Sequence, residues 1–194
     1  MSAFAFLRDV ARRPTQMGAI APSGSQLGEM MAREVGIEPD HVVVELGAGT
    51  GSLTQAIRNR APHAPLLALE PGAEMAEGLR RRFPDIEVSQ RLAHELPEVL
   101  REWGHPAVDR VVSGLPWTIW PDHVQNQILD AVVSCMKPDG QLVTFTYVHS
   151  QVLPGADVLK KMLDRYFGSV RKTPIAWLNL PPAFAYVASQ PRKK

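Results

Sequence analysis

Hydrophobic and polar positions along this chain follow two periods, one of short apolar runs and one of helical stripes. His41-Val42-Val43-Val44-Glu45-Leu46 is a β-branched run with an acid near its end. It is too short for a buried helix and reads as a strand covered on both faces. Glycines at 47, 49 and 51 follow, and then Ser52 to Arg60 with helical character. The same alternation predicts a strand at Leu66-Leu67-Ala68-Leu69, a helix from Ala73 to Phe83, a strand at Ile86 to Ser89 and a helix over 94–102. Beyond these it predicts a strand from Val108 to Ser113 and a helix from Asp122 to Met136. Lys137-Pro138-Asp139-Gly140 reads as a stop and turn. A long strand from Gln141 to Val148 and a helix from Ala156 to Tyr166 come next. Val170 to Leu178 and Ala183 to Ser189 then form a final hairpin around Leu180-Pro181-Pro182. Strands that alternate with helices imply an α/β domain on a parallel sheet, to which the hairpin adds an antiparallel strand. Ligands of such sheets bind outside the carboxyl ends of the strands.

Composition narrows this picture without redirecting it. A chain of 194 residues that is 45% hydrophobic can bury one core and is expected to form a single domain over 1–194. The formal charge of +1 does not announce nucleic-acid binding. Cys135 is the only cysteine, which excludes an internal disulfide and suits a reducing compartment. No stretch of about 18 apolar residues is present to span a membrane. Ala3-Phe4-Ala5-Phe6-Leu7 is too short, and Arg8 too near, for a signal-peptide core.

The amino-terminal residues carry a different pattern. On a helical wheel over 2–13, Ala3, Phe4, Phe6, Leu7, Val10 and Ala11 share one half, while Arg8, Arg12 and Arg13 stand on the other; Pro14 ends the segment. Two aromatics facing three arginines suit a helix lying in a membrane interface, and equally an amphipathic helix docked on the domain's own core. Residues 14–22 form a loop, and Ser23 is a helix cap before Gln26 to Glu34, which Gly36 closes. Residues 14–36 thus read as a loop and helix in front of the first strand.

Glycines at a strand's carboxyl end permit a tight turn and let a ligand touch the backbone. A dinucleotide fingerprint would be spaced G-x-G-x-x-G, but Glu45-x-Gly47-x-Gly49-x-Gly51 is one residue shorter. It resembles the first motif of the class I S-adenosylmethionine-dependent methyltransferases. That resemblance implies a seven-stranded sheet of Rossmann-like type with S-adenosylmethionine over the turn, contacted by Glu45, Gly47, Ala48, Gly49 and Gly51. It also implies a second acid at the next strand end for the ribose hydroxyls; Glu70, followed by Pro71, stands there. Leu92 and Ala93 lie where the adenine packs. Leu92 replaces the acid often found there, so apolar contact and backbone amides are expected to hold the ring. Met17, Gly18, Ile20 and Ser23 become candidates to cover the methionine end, a plain connector being the alternative.

Ser113-Gly114-Leu115-Pro116-Trp117 bears on the substrate. It is similar to the Asn-Pro-Pro-Tyr and Asn-Leu-Pro-Tyr motifs of enzymes that methylate nitrogen, with Gly114 where the asparagine would stand. A planar base amino group thereby loses its side-chain acceptor. Trp117 and Trp120 offer either faces for a methylated ammonium or two packing rings. Leu115, Pro116, Trp117 and Trp120 are the substrate candidates, and Ser113 and Gly114 border the cofactor. The whole chain resembles the bacterial phospholipid N-methyltransferases, with their amphipathic arm, Gly-Ala-Ile-Ala-Pro-Ser loop and Ser-Gly-Leu-Pro turn. The ribosomal RNA adenine dimethyltransferases share the glycine motif but carry a further helical RNA-binding domain, which is not seen before Lys194.

The resemblance implies methylation of phosphatidylethanolamine towards phosphatidylcholine by an enzyme peripheral to the cytoplasmic membrane's inner face. Its partners would be a phospholipid and an anionic surface, without metal or nucleic acid. The alternatives are an RNA adenine methyltransferase and a non-catalytic cofactor- or membrane-binding module. Tyr147 and His149 are the polar candidates for the amine or the phosphate, and equally surface residues. Lys160, Lys161, Arg165, Arg171 and Lys172 could bind phosphates or form a solvated face.

Overall fold

A computed structural model describes residues 24–117, 120–149 and 157–193, with side chains from Gln26 onward. The arm residues Phe4, Phe6, Leu7, Arg8, Val10, Arg12 and Arg13, and the loop residues Met17, Gly18, Ile20 and Ser23, lie outside the described residues. The elements are α1 (Gly24–Glu34), β1 (Val43–Leu46), α2 (Ser52–Arg60), β2 (Leu66–Leu69), α3 (Ala73–Arg82), β3 (Glu87–Ser89) and α4 (Leu96–Trp103). They continue with β4 (Val108–Ser113), α5 (Asp122–Cys135), β5 (Met136–Tyr147), α6 (Val158–Tyr166), β6 (Phe167–Lys172) and β7 (Ala183–Pro191).

The strands form one seven-stranded sheet in the order β3-β2-β1-β4-β5-β7-β6. β3 to β5 run parallel, and β7 runs antiparallel between β5 and β6. Every residue of β1, β2 and β4 is buried, as a doubly covered sheet requires, including the polar Glu45, Asp109, Arg110 and Ser113. Successive strand residues divide between the two faces. Val44, Leu46, Val111 and Leu142 pack towards α4, α5 and α6, while Val43, Val112 and Val143 pack towards α1 and α2. Ala68 and Val88 meet Leu79 and Phe83 of α3. Glu45 therefore points with Val43 to the α1 and α2 side.

Two boundaries depart from the reading of the sequence. Lys137-Pro138-Asp139-Gly140 is no turn ahead of the fifth strand; it lies inside β5, which begins at Met136 opposite Val108. The register shifts between Val108 and Arg110, so these residues form a bulge. Its cause is visible: Lys137 Nζ is drawn 2.8 Å from both carboxylate oxygens of Asp109. The final hairpin is also displaced, because β6 starts at Phe167 directly after α6 and stops at Lys172. Pro174 has no N–H to offer, and beyond it the chain meets β7 again at an Ala176–Ala183 bridge.

Asp109 ties three elements at the amino end of the sheet, where it also accepts the Val42 N–H at 2.9 Å. Burial opposes its ionisation, but the Lys137 ammonium and the Val42 amide outweigh burial and hold the carboxyl below its ordinary 3.8. Its contribution is therefore present above pH 3.8 and lost as pH falls through the lower folded value. Asp109→Ala should cost about 2 kcal/mol at neutral pH, by orphaning the Val42 N–H and removing charged hydrogen bonds. Urea unfolding should show that deficit shrink in acid.

Candidate active site

The turn from the carboxyl end of β1 into α2 runs beside the end of β2, and each of its glycines answers a separate demand. Gly47, Gly49 and Gly51 all have positive φ, at 74°, 54° and 85°. A Cβ on Gly47 would stand 2.8 Å from Leu115 Cδ2, and one on Gly51 would stand 2.7 Å from the Phe83 ring. Those two glycines serve packing. Among the described residues, a Cβ on Gly49 would meet nothing within 4 Å. Gly49 is the glycine whose missing side chain faces open space.

The two acids at these strand ends are held differently. Glu45 is fully buried; its Oε2 accepts the Thr54 hydroxyl at 2.7 Å from α2, and its Oε1 is buried with no hydrogen-bond partner among the described residues. Desolvation, against the Thr54 hydrogen bond and with the neighbouring Glu70 charge, pushes its pKa up to about 7. Glu70 is 8% exposed and receives the Gly49 N–H on one oxygen and the Gly72 N–H on the other, both at 2.8 Å. A carboxylate has about four lone-pair sites, so Glu70 keeps acceptor capacity. Ala48 is buried beside it, and Pro71 is half-buried.

The end of β4 closes over this turn. A Cβ on Gly114 would stand 2.8 Å from the Gly47 carbonyl oxygen and 3.2 Å from Leu53. Glycine is thus dictated where related nitrogen methyltransferases carry asparagine. Leu115 caps Gly47 from above, followed by the half-exposed Pro116. The Ser113 hydroxyl accepts the Leu115 N–H at 3.3 Å and the Trp117 indole N–H at 3.0 Å. Trp117 is 2% exposed and Trp120 8%, their rings edge to face at 6.2 Å. The expectation that these rings present faces to a methylated ammonium is corrected here: both pack in the core. Ser113 likewise serves as a turn acceptor.

Leu92 packs partly buried against the core with Ala93, as an apolar adenine wall requires. Its backbone N–H, however, is already donated to Glu95 at 2.8 Å. Tyr147 ends β5 and stacks on His149 at 5.5 Å and 13°. The phenol is half-buried and its pKa raised by desolvation; the imidazole is exposed. Of the cations considered for phosphate, Arg171 pairs with Glu34, Lys160 with Asp164, and Lys172 lies 3.7 Å from the Phe184 ring centre. Lys161 and Arg165 are exposed. A cavity of about 480 Å³ opens elsewhere, along β3 and α4 between Ser89 and Trp103, away from the glycine turn.

Comparison with known proteins decides the family. A methyltransferase-domain family matches residues 43–140, from β1 through the β5 bulge. An ornithine lipid N-methyltransferase of Singulisphaera acidiphila is 33% identical over 187 residues, covering 94% of this chain and 93% of that one. The chain is a class I S-adenosylmethionine-dependent methyltransferase. A ribosomal RNA small subunit methyltransferase A of Thermotoga petrophila is 29% identical over 76% of this methyltransferase, which spans 59% of that relative's length. The fold is shared with magnesium protoporphyrin IX methyltransferase of Synechocystis, solved with bound SAM (TM-score 0.66, 13% identity, 96% of this chain and 91% of that one). It is shared too with a Thermus thermophilus 16S rRNA N2 G1207 methyltransferase solved with AdoMet and guanosine (TM-score 0.63, 17% identity, 91% and 45%).

Three groups that shape the methyltransferase site escaped the sequence reading. Thr54 anchors Glu45, the Gly72 amide anchors Glu70, and Gln125 Nε2 donates to the carbonyls of Trp117 and Trp120 at 2.7 Å each. Gln125 had a signal, being a polar residue between Val124 and Ile128 on the buried stripe of α5. Thr54 and Gly72 had none.

Gly114→Asn, which would restore the common motif, should destabilise the methyltransferase by about 1–3 kcal/mol, since a backbone oxygen cannot yield as a side chain can. Thermal unfolding measures it. Glu45 yields a pH prediction. Its folded pKa lies above the ordinary 4.5, so the fold favours the protonated form. Stability contributed by this carboxyl should therefore fall as pH rises from 4.5 to about 7 and level off above, a loss of about 3 kcal/mol. Glu45→Gln should flatten that slope in denaturant titrations at pH 5 and pH 8.

Proposed function

We propose that this methyltransferase N-methylates the amine of a membrane aminolipid, with the phosphatidylethanolamine head group as substrate. The observation that carries this reading is the match to an ornithine lipid N-methyltransferase along 93% of that relative's length. The site geometry supports it. A planar base would need a side-chain acceptor at 114 and an aromatic face beside it, whereas Gly114 has no room for a Cβ and the Trp117 ring is buried. An aliphatic amine on a flexible head group needs neither.

When bound, S-adenosylmethionine supplies an electrophilic methyl group on a positively charged sulfur. The residues present fit that cofactor. Gly49 lets a ligand approach the backbone, Glu70 retains lone pairs for hydroxyl donors, and the orphaned Glu45 Oε1 can take a further donor. Leu92 and Ala93 supply an apolar wall. An alkylammonium titrates near pH 10 and attacks only when neutral, so the site must draw off a proton. His149 is our choice of acceptor, since imidazole is the usual side-chain base near neutral pH. Tyr147 orients it by stacking. Tyr147 ends β5 and His149 follows it, two strands from β1, roughly 10 Å across the sheet. Residues 2–13 would lie in the interface at the membrane's inner face, and the loop before α1 would cover the site within one domain.

The deciding experiment incubates the full chain with labelled cofactor and, in parallel, phosphatidylethanolamine vesicles, ornithine lipid vesicles and ribosomal RNA. Label in phosphatidylethanolamine supports the proposal. Label confined to ornithine lipid moves the substrate within the lipid class, and label in RNA alone overturns the reading. On the cofactor side, Gly49→Val should fold with a penalty of about 1–2 kcal/mol for its left-handed backbone, yet lose S-adenosylmethionine binding in calorimetric titration.

A further inference from the structure

Among the described residues, the large apolar side chains left exposed are Val158, Trp177, Leu178 and Leu180, the last three at 66%, 71% and 76%. Three of the four sit within four consecutive residues of the β6–β7 connection. The fourth position there, Asn179, is 4% exposed. The usual arrangement is inverted, with the amide inside and the tryptophan and leucines in solvent.

This connection is built to hold that inversion. Thr173 is buried, donating its N–H to the Ala185 carbonyl and accepting the Ala185 N–H on its hydroxyl, both at 2.9 Å. Ala176 N–H donates to the Ala183 carbonyl at 2.7 Å. Inside the turn, the Asn179 N–H donates to the Ala176 carbonyl and its side-chain amide to the Pro181 carbonyl. Nothing about the inversion is accidental slack. Polar groups close the turn from within and leave Trp177, Leu178 and Leu180 projecting.

Topology puts the turn beside the site. β6 runs parallel to β5, so its connection to β7 opens at the carboxyl end of the parallel strands. Ala183, the first residue of β7, pairs with Tyr147, and the Val148 N–H donates to the Pro182 carbonyl at 2.8 Å. Val158 begins α6 at that same end of the sheet. Charge points to the occupant. Arg171 and Lys172 close β6 at this end of the sheet, ahead of the turn; Arg171 also pairs with Glu34, while Lys172 lies over the Phe184 ring.

We propose that the Trp177–Leu180 turn is a membrane-docking element that enters the head-group boundary of an anionic bilayer and seats the open end of the active site on it. Tryptophan favours that boundary because its ring is apolar and its N–H wet, and neighbouring leucines enter the acyl edge. The Lys172 ammonium ahead of the turn complements anionic lipid. The substrate role of the docked lipid rests on the aminolipid reading; docking itself does not.

The test uses the full chain and vesicles of phosphatidylcholine with phosphatidylglycerol. Vesicles should shift tryptophan emission to the blue, brominated acyl chains should quench it, and Trp177→Phe should remove both effects. The combined substitution W177S, L178S and L180S, all at exposed positions, should keep the thermal midpoint and lower vesicle partitioning by at least about tenfold. It should leave methylation of a short-chain, dispersed aminolipid unchanged while impairing methylation in vesicles. Vesicle-independent emission together with undiminished partitioning overturns the proposal. So does a dimer that the triple variant dissociates without any change in partitioning, which would assign the turn to a second copy of the chain. If the wild type binds vesicles through Trp177 but methylates no lipid in any form, docking stands and the substrate reading fails.

Discussion

The site depends on a backbone-to-backbone approach between the ends of β1 and β4. The Gly47 carbonyl lies where a Cβ of Gly114 would project, and Leu115 occupies the space a Cβ of Gly47 would need. Neither residue can change alone. This contact brings the second turn down over the first and fixes Leu115 above the glycines. It also leaves no place for the asparagine by which related enzymes grip a base. The aminolipid reading proposed above needs no side-chain acceptor at this position. The same contact explains why Trp117 turns inward: the chain leaving Leu115 is pinned by Ser113 and Gln125, and the indole fills the core beneath it.

The two acids near that contact illustrate how position on a strand decides electrostatics. Glu45 shares the face of Val43 and is drawn under α2, where one hydroxyl satisfies one of its oxygens. Glu70 comes one residue after its strand, where the ladder ends and two glycine N–H groups are free to meet it. Both stand near the same turn, yet desolvation pushes Glu45 towards the neutral form, while each Glu70 oxygen accepts a backbone N–H. A cofactor binding here meets one acid already organised to accept and another with an unanswered oxygen.

The sheet was legible because doubly covered strands must be apolar throughout, and the turns between them need glycine. The parallel sheet and its antiparallel addition follow from those runs by general rules of connection. What remained hidden was of another kind. A tryptophan in a proline turn reads the same whether its face is open or buried, and only the Ser113 and Gln125 hydrogen bonds separate the two. Lys137-Pro138-Asp139-Gly140 has the composition of a turn, but a charge 28 residues away on Asp109 pulls it into the sheet as a bulge. Trp177-Leu178-Asn179-Leu180 looked like strand and hairpin. Its apolar residues face water because Asn179 found its partners inside.

That last inversion bears on how such an enzyme would meet its substrate. A lipid amine is confined to a plane, so a catalyst gains little from a deep cleft and much from being held at a fixed height and tilt. Two-point contact sets tilt where one point cannot. Residues 2–13, as proposed above, would supply one contact and the β6–β7 turn another. The β6–β7 turn belongs to the sheet itself and is hydrogen-bonded at both ends, so any force on it is transmitted directly to β5 and the Tyr147–His149 pair. Orientation of the chemistry relative to the membrane is then a property of the folded domain rather than of its tether.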